Sequence, residues 1–375
     1  SRVGADGARE ALPHAAADVM FAPTYAARWY ELRLARRFEC CRDVMPARGL
    51  LTSGQARGTV VYLGADGAVQ GAAEPFAVAC PPLAPAPALA DAELPAKPAG
   101  AVRVVSFNVL RSGPLERPEQ FRRLLEALEP DVVLLQEWDR GEAREVAAWF
   151  NALVPSTTPW RAEKRGWSAL VARHPMRAVG PERVTVGPEH DLRARQGDRG
   201  DRGPDVRVLA AIVDTPAGPL LATTLHLKCC GSFESDEDLR RMAEARAINQ
   251  MLQEALRESP AALRVVGGDV NLVGSRPPLD LLRAGLDVDG SDLDVAPARV
   301  LGDGAFYTWR EDDNAFTPGR LDWIVYSGAA ARAANAFVLD TRRLSDAALA
   351  RAGLDRSDSL ASDHLPVVVD LLPAR

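Results

Sequence analysis

Near the end of the chain, Ser362-Asp363-His364 runs through Leu365-Pro366 into Val367-Val368-Val369, which sets a carboxylate and an imidazole at the mouth of an expected buried strand. Asp-His pairs also arise by chance on protein surfaces, so the triplet alone carries little weight. Four earlier segments end in the same kind of chemistry: Val104-Val105-Ser106-Phe107-Asn108, Val132-Val133-Leu134-Leu135-Gln136-Glu137, Thr224-Leu225-His226-Leu227 and Val265-Val266-Gly267-Gly268-Asp269-Val270-Asn271. Each is a short apolar run finished by an amide, a carboxylate or an imidazole. Repeated that often, the pattern describes one site fed by many strands.

Glu137, after so apolar a run, is either a strand-mouth residue in water or a ligand for a hard cation, with Asp363 the natural second carboxylate. Magnesium is commonly held by one or two carboxylates, the remainder of its shell being water and substrate phosphate. Asn108 and Asn271 carry amides that can donate to a phosphate oxygen while their carbonyls face a cation. Gly267-Gly268 lets the backbone turn sharply, so that Asp269 and Asn271 can point the same way. His226 and His364 are two of only five histidines, and imidazole titrates in the range that acid-base work requires. Asp322 sits between apolar positions in Arg320-Leu321-Asp322-Trp323-Ile324-Val325. A buried aspartate must be paired, and orienting His364 is its natural employment.

The elements that must position these residues form a strand-helix rhythm from Val102 onward. Phe121, Leu124, Leu125 and Leu128 make a helical stripe after Pro118, a good helix start. A buried strand is expected over 131–136, a helix over 142–153, and a strand at 166–175 cut off by Pro175. Neighbouring strands over 206–213 and 220–226 are joined by the Pro216-Ala217-Gly218 turn. A long helix over 236–256 with the stripe Leu239, Met242, Ala243, Ala245, Ile248, Met251 and Leu252 leads to the Gly268-Asp269 strand, and further strands follow at 321–326 and 367–371. Residues 1–80 lack this rhythm and read as a small β-rich N-terminal unit, with a strand over 28–34 and an Asp66-Gly67 hairpin. Residues 81–100, dense in Pro and Ala, read as a semi-extended linker ahead of a catalytic domain over 101–375.

Composition narrows the class. The chain has 375 residues, 47% hydrophobic and 26% charged, which is ordinary for a soluble globular protein. No apolar run is long enough to span a bilayer. The net charge of −6 lowers the odds of a protein that grips DNA non-specifically, since phosphate contacts dominate such affinity. Starting at Ser1 without a visible signal peptide fits a mature exported protein, periplasmic or extracellular, with a cytoplasmic one the alternative. Cys40-Cys41, Cys80 and Cys229-Cys230 have no zinc-site spacing, and free thiols or an exported disulfide both remain open. Arg199-Gly200-Asp201, an adhesion tripeptide in the Gly-rich loop 188–205, is assigned to chance.

From about Val102 to Leu371 the chain resembles the endonuclease/exonuclease/phosphatase superfamily, the metal-dependent phosphoesterases that include deoxyribonucleases, abasic-site endonucleases, sphingomyelinases and inositol polyphosphate 5-phosphatases. The resemblance rests on six ordered motifs: Asn108 in Ser-Phe-Asn, Glu137 in Leu-Gln-Glu, His226 in Thr-Leu-His, Gly-Asp-Val-Asn at 268–271, Leu-Asp-Trp-Ile at 321–324 and Ser-Asp-His at 362–364. It implies a four-layer α/β sandwich of two packed, mostly antiparallel sheets flanked by helices. It also implies that Asn108, Glu137 and Asp363 hold one or two divalent cations, Mg²⁺ or Mn²⁺. Asp269 and Asn271 would orient the attacking water and the phosphate, and His226 would bind the scissile phosphate. His364, supported by Asp322, would act in acid-base chemistry or charge stabilisation.

The resemblance does not fix the substrate. Lys228, beside the Cys229-Cys230 pair, is a candidate phosphate contact. Trp309 in Tyr307-Thr308-Trp309-Arg310 and Arg320 after Phe316-Thr317-Pro318-Gly319 are candidates for an aromatic and basic substrate wall. The leading expectation is a phosphodiester hydrolase, with the acidic charge tilting slightly toward a small-molecule or lipid-headgroup diester over nucleic acid. The alternatives are a phosphomonoesterase on sugar or inositol phosphates and a non-catalytic binding protein on the same fold.

Overall fold

Among the described residues, thirteen strands in two sheets and six α-helices, one of them the single turn Gly113–Glu116, build the larger part of the molecule. The computed structural model describes residues 89–192, 203–231, 234–273, 276–311 and 318–374, together with the backbone of eight short strands before residue 80. The chain divides into two units: Ser1–Thr24, Trp29–Leu89 and Glu311–Pro318 form one, and Tyr25–Arg28, Ala90–Arg310 and Gly319–Arg375 form the other. In the smaller unit the strands pair two by two, among them Val19–Thr24 with Trp29–Leu34 and Val61–Leu63 with Val69–Ala72, both antiparallel. Cys40, Cys41, Cys80 and the Arg199-Gly200-Asp201 tripeptide lie outside the described residues. The Pro/Ala-rich stretch is tied to the larger unit from Ala90, whose N–H donates to the Arg343 carbonyl at 3.0 Å.

Labels here run through the larger unit. One sheet holds β1 (Val102–Asn108), β2 (Val132–Gln136), β3 (Arg161–Arg165), β4 (Ser168–Ala172), β10 (Arg299–Val300), β12 (Ala331–Val338) and β13 (Val367–Pro373), in the order β3-β4-β2-β1-β13-β12-β10. The other holds β5 (Met176–Val179), β6 (Arg207–Thr215), β7 (Gly218–His226), β8 (Leu263–Asp269), β9 (Asp294–Val295) and β11 (Asp322–Tyr326), in the order β5-β6-β7-β8-β11-β9. At the heart of each sheet lies a parallel pair, β1 with β2 and β7 with β8, flanked on both sides by antiparallel partners, and β10 and β12 at one edge of the first sheet are parallel as well. The two central pairs are joined by helical crossovers. These are α1 (Pro118–Leu128) and α3 (Asp236–Glu258), and α2 (Ala143–Leu153), α4 (Pro277–Arg283) and α5 (Asp346–Ala352) complete the outer layers.

The two sheets face one another through residues buried on both sides, as the continuous apolar runs require. Helix α1 buries Phe121, Leu124, Leu125 and Leu128 in a cluster with Val105, Phe107, Val133 and Leu135 of the first sheet. Helix α3 buries Ala245, Ile248, Met251 and Leu252 against Val208, Leu221, Leu225 and Val266 of the second. A polar stitch crosses between the sheets: Gln136 Nε2 donates to Thr224 Oγ1 at 2.9 Å, and Thr224 Oγ1 donates to the Leu135 carbonyl at 3.1 Å. The result is the expected four-layer sandwich.

The structure departs from the stripe expected along α3. Leu239 is 40% exposed, while Asp238, Arg240, Arg241 and Glu244 are buried. The first turns of α3 face loops rather than the sheet, and loop carbonyls take up buried guanidinium groups. Arg240, for example, donates to the carbonyls of His190, Gly203 and Asp205.

At Gly268 the backbone of the neighbouring strand excludes a side chain. The glycine φ is 149°, and a Cβ there would lie 2.0 Å from the Leu225 carbonyl oxygen on the neighbouring strand. Both the left-handed backbone and the close approach exclude an L-residue. Gly268→Ala is expected to destabilise the fold by more than ~3 kcal/mol, measured as a loss in the denaturant midpoint. An unchanged midpoint would mean that β7 and β8 are not packed as described.

Candidate active site

Register brings the polar strand ends together. Along the second sheet Arg207 lies opposite His226, His226 beside Asp269, and Asp269 opposite Asp322. In the first sheet Gln136 lies beside Asn108, so Glu137 emerges at the same edge. Face-to-face packing of the two sheets then closes one constellation from both. Asn108 Nδ2 donates to Asp269 Oδ2 across the sheets at 3.1 Å and to Glu137 Oε1 at 3.3 Å.

Asp269 Oδ2 is the centre of the group. Besides Asn108, it has His226 Nε2 at 3.5 Å and His364 Nε2 at 3.7 Å. Its other oxygen accepts from the Asn271 N–H at 3.0 Å, and Asn271 Nδ2 donates to the Leu227 carbonyl at 3.2 Å. His364 Nδ1 is 2.8 Å from Asp322 Oδ2, the carboxylate-imidazole pairing that fixes a ring's orientation. Asp322 is in turn placed by Thr308, whose Oγ1 accepts the backbone N–H groups of Leu321 and Asp322 at 3.0 and 2.9 Å.

Burial sets the protonation of this cluster. Burial pushes the Asp269 carboxyl up to about 8, against the pull of the His364 cation, with Asp322 and Glu137 adding to the rise. Burial works to lower His364, but Asp322 and Asp269 beside it outweigh that and raise it to about 10. The two carboxylates thus favour the charged imidazole, while burial holds Asp269 above the ordinary carboxylate range, and the pair titrates as a unit.

The backbone is strained at the same edge. Glu137 and Asn271 have φ of 62° and 52°, and Leu110, Arg111 and Ser112 run through 47°, 51° and 59°. Left-handed backbone costs a non-glycine residue roughly 1–2 kcal/mol. The turn brings the Leu110 N–H to Asn108 Oδ1 at 3.2 Å and the Arg111 N–H to Glu137 Oε2 at 3.3 Å. Strain held this way is a mark of functional sites.

Asp363 is drawn in by two neighbours. Trp309 Nε1 donates to Asp363 Oδ2 at 2.9 Å, and Ser362 Oγ, 3.5 Å from Asp363 Oδ1, donates to the Asn108 carbonyl at 2.8 Å. Trp309 thus holds a carboxylate, a job its place in a substrate wall did not suggest. Arg320 is buried, with its guanidinium 3.8 Å over the Trp323 ring and donating to the Ala296 carbonyl at 3.1 Å. The Lys228 N–H donates to buried Glu244 at 2.8 Å, which fixes the loop that follows β7.

Two cation placements fit these donors. Asn108, Glu137 and Asp363 offer oxygen, the Glu137 side chain is 18% exposed, and hard cations that keep part of their water shell prefer such ligands. Asp269, Asp322 and His364 form a second, wholly buried group with ligand atoms within 4.8 Å of one another. There Asp322 and His364 already satisfy each other at 2.8 Å.

Two rim residues went unnoticed in the sequence. Trp167 is 36% exposed, and its carbonyl accepts the Trp138 N–H, one residue beyond Glu137, at 3.0 Å. Arg207, the register partner of His226, lies 4.0 Å over the Trp167 ring. A lone tryptophan in the turn between β3 and β4 gives no signal of its own. Only pairing across the sheets shows that it stands at the site.

The fold, the motif order and the family model agree. The chain belongs to the Endonuclease/Exonuclease/phosphatase family, whose model matches residues 105–364. Its class is that of hydrolases acting on phosphoester bonds. Among solved structures it is similar to the 3′ phosphatase NExo from Neisseria, at 19% identity over 72% of this chain and 99% of that one, with a TM-score of 0.46. It is also similar to an endonuclease/exonuclease/phosphatase from Bacteroides vulgatus, at 14% identity, 73% and 99% coverage and a TM-score of 0.47. Sphingomyelinase C from Streptomyces griseocarneus matches at 15% identity, 72% and 99% coverage and a TM-score of 0.44. No curated protein matches the chain. No helix among the described residues is long and apolar enough to cross a membrane.

Proposed function

We propose that the chain is a divalent-cation-dependent phosphodiesterase that cleaves by direct in-line attack of water. The observation that carries this reading is the convergence of Asn108, His226 and His364 on Asp269 Oδ2, with His364 held by Asp322. A phosphate set beside Asp269 meets a base for the water and three nitrogen donors for its oxygens. Asp269 takes the proton, and its near-neutral titration suits the task. Protonated His364, with His226 and the Asn108 amide, stabilises negative charge on the phosphoryl oxygens. Asn271 holds Asp269 in orientation through its backbone N–H. A cation held by Asn108, Glu137 and Asp363, Mg²⁺ or Mn²⁺ by ligand type, would neutralise charge developing on the phosphate. No side-chain nucleophile is needed.

The Trp167–Arg207 pair favours diesters that carry a flat ring over those that carry a quaternary ammonium, since a guanidinium on the indole repels a second cation. That reverses the slight tilt toward lipid headgroups read from net charge.

The test is hydrolysis of an aryl phosphodiester and the matching monoester, in chelator and with Mg²⁺ or Mn²⁺ restored. Diester cleavage that is lost in chelator is the expected result. Glu137→Gln should weaken calorimetric Mn²⁺ binding by at least the ~10-fold that loss of even an outer-shell partner costs. Monoester preference would move the reading to sugar or inositol phosphates. Metal binding without turnover of either compound or of a base-bearing diester would leave a binding protein on the same fold.

A further inference from the structure

The Cys229-Cys230 pair stands three and four residues beyond His226 and has no part in the chemistry proposed above. The two sulfurs are 2.9 Å apart, Cys230 is exposed and Cys229 half-buried. Cys230 has a φ of 70° and Gly231 one of 77°, so the backbone is left-handed at both residues. What holds this segment is buried charge from α3. Arg241 Nη1 donates to the Lys228 carbonyl at 2.9 Å and to the Cys230 carbonyl at 2.7 Å, and Glu244 accepts the Lys228 N–H at 2.8 Å. Arg241 and Glu244 are both wholly buried. The dipeptide is therefore clamped at each end with its thiols facing one another. Upstream, the same segment is tied to the site: the Leu227 N–H donates to the Asp269 carbonyl at 2.9 Å, and the Leu227 carbonyl accepts from Asn271.

We propose that Cys229-Cys230 is a reversible thiol-modification site that closes to a vicinal disulfide by exchange with small-molecule disulfides, and that closure slows the adjacent active site. Proximity is already supplied, since sulfurs at 2.9 Å need move inward by less than ~1 Å to reach the ~2.05 Å of a bond. The Cys230 thiol is pushed above its ordinary range, first by its contact with Cys229 and then by burial, so the attack is written from Cys229. Its thiolate attacks one sulfur of the small disulfide and expels the other half as a thiolate, which takes up a proton. Cys230 then loses its proton, attacks the Cys229 sulfur and expels the second half. The protein dithiol and one small disulfide become one vicinal disulfide and two small thiols.

Closure is readily reversed and felt nearby. Adjacent Cα atoms across a trans peptide are ~3.8 Å apart, below the ~4.4–6.8 Å that relaxed disulfides span, so the ring is strained. Strained, exposed disulfides are the labile kind. The strain falls on the peptide whose flanking carbonyls Arg241 holds, and a shift there moves Lys228 and, next to it, Leu227, which buttresses Asn271 and Asp269. Displacements of about 1 Å remote from the reacting atoms can cost on the order of a hundred-fold in rate.

The test uses the full chain, reduced and then exposed to a graded ratio of oxidised to reduced glutathione. Remaining thiols are alkylated and the tryptic peptide Cys229–Arg240 is weighed. The expected product is that peptide two hydrogens lighter, with neither alkyl nor glutathione attached, restored by dithiothreitol. In parallel, cleavage of the aryl diester should fall about ten-fold or more with closure and recover on reduction. The Cys229→Ser/Cys230→Ser protein should be as active as the reduced wild type and indifferent to oxidant. Bonding of either cysteine to another cysteine, a stable glutathione adduct, or closure with unchanged turnover would each overturn the proposal. The mass measurement reads closure whether or not the chain cleaves diesters. Hydrogen exchange over residues 226–231, expected to quicken on closure, reads the coupling without turnover. Unchanged exchange would overturn the coupling.

Discussion

His364→Ala is expected to lower kcat for metal-dependent diester cleavage by about 10²–10⁴-fold, the range that acid-base and charge-stabilising side chains supply. The substitution removes the imidazole Nε2 that lies 3.7 Å from Asp269 and strips Asp322 of its 2.8 Å partner. Asp322 is wholly buried and its Oδ1 has no hydrogen-bond partner among the described residues, so loss of His364 leaves that carboxylate uncompensated. Asp322→Asn should therefore slow turnover as well, through loss of ring orientation, and the double variant should be little worse than His364→Ala alone. A pH profile gives the sharper reading. The His364 cation holds the Asp269 carboxyl down against burial, so its removal must raise Asp269 further. The acid limb of the residual activity of His364→Ala should then move to higher pH, because a base with a raised pKa becomes competent only at higher pH. A limb that stays put or moves down would separate the two residues and dismantle the proposed division of labour. Turnover unchanged in folded His364→Ala would remove the site assignment altogether.

Much of this geometry was legible because the chemistry sits at strand ends. A run such as Val132-Val133-Leu134-Leu135 can only be a buried strand in a two-sided layer, and the polar residue that ends it must then emerge at an edge. Five such ends at one place follow from register, which turned His226, Asp269 and Asp322 into neighbours across β7, β8 and β11. Helix spans were readable too, 142–153 against Ala143–Leu153 and 236–256 against Asp236–Glu258, while the Ser235 cap of α3 and the Glu142–Glu145 box of α2 emerge from the structure. What escaped lacked a period. β3 reads Arg-Ala-Glu-Lys-Arg, and its stability comes from pairing with β4 rather than from an apolar face. β12, with four alanines, is held between β13 and β10. Trp309 and Arg320 show the complementary failure. Their types suggested substrate contact, yet one hydrogen-bonds Asp363 and the other stacks on Trp323, because residue type alone does not say which way a side chain points.

Arg103→Met is expected to do the reverse of His364→Ala, costing stability and sparing chemistry. Arg103 and Asp370 are register partners on β1 and β13, joined by two bonds of 2.6 and 2.7 Å with both side chains buried. The guanidinium also donates to the carbonyls of Leu128 and Pro95 at 3.0 and 2.6 Å, which ties the end of α1 and the incoming Pro/Ala-rich stretch to the sheet. Removing one partner of a buried pair leaves the other charge without compensation, a loss of about 3–5 kcal/mol. Asn335 Nδ2, at 2.7 Å from Asp370, covers only part of that loss. Replacing both, Arg103→Met with Asp370→Leu, should restore most of the stability, since the uncompensated charge is then gone. Arg103 lies five residues before Asn108 on the same strand, and at ~3.3 Å per residue that places it roughly 17 Å from the site. Denaturant titration should thus show a lowered midpoint for the single variant and recovery in the double. Diester turnover measured well below the transition should match the parent in both. A single variant as stable as the parent would show that the pair is not an anchor of the sheet. A folded variant with slowed turnover would show that the two ends of β1 are coupled in a way the packing does not reveal.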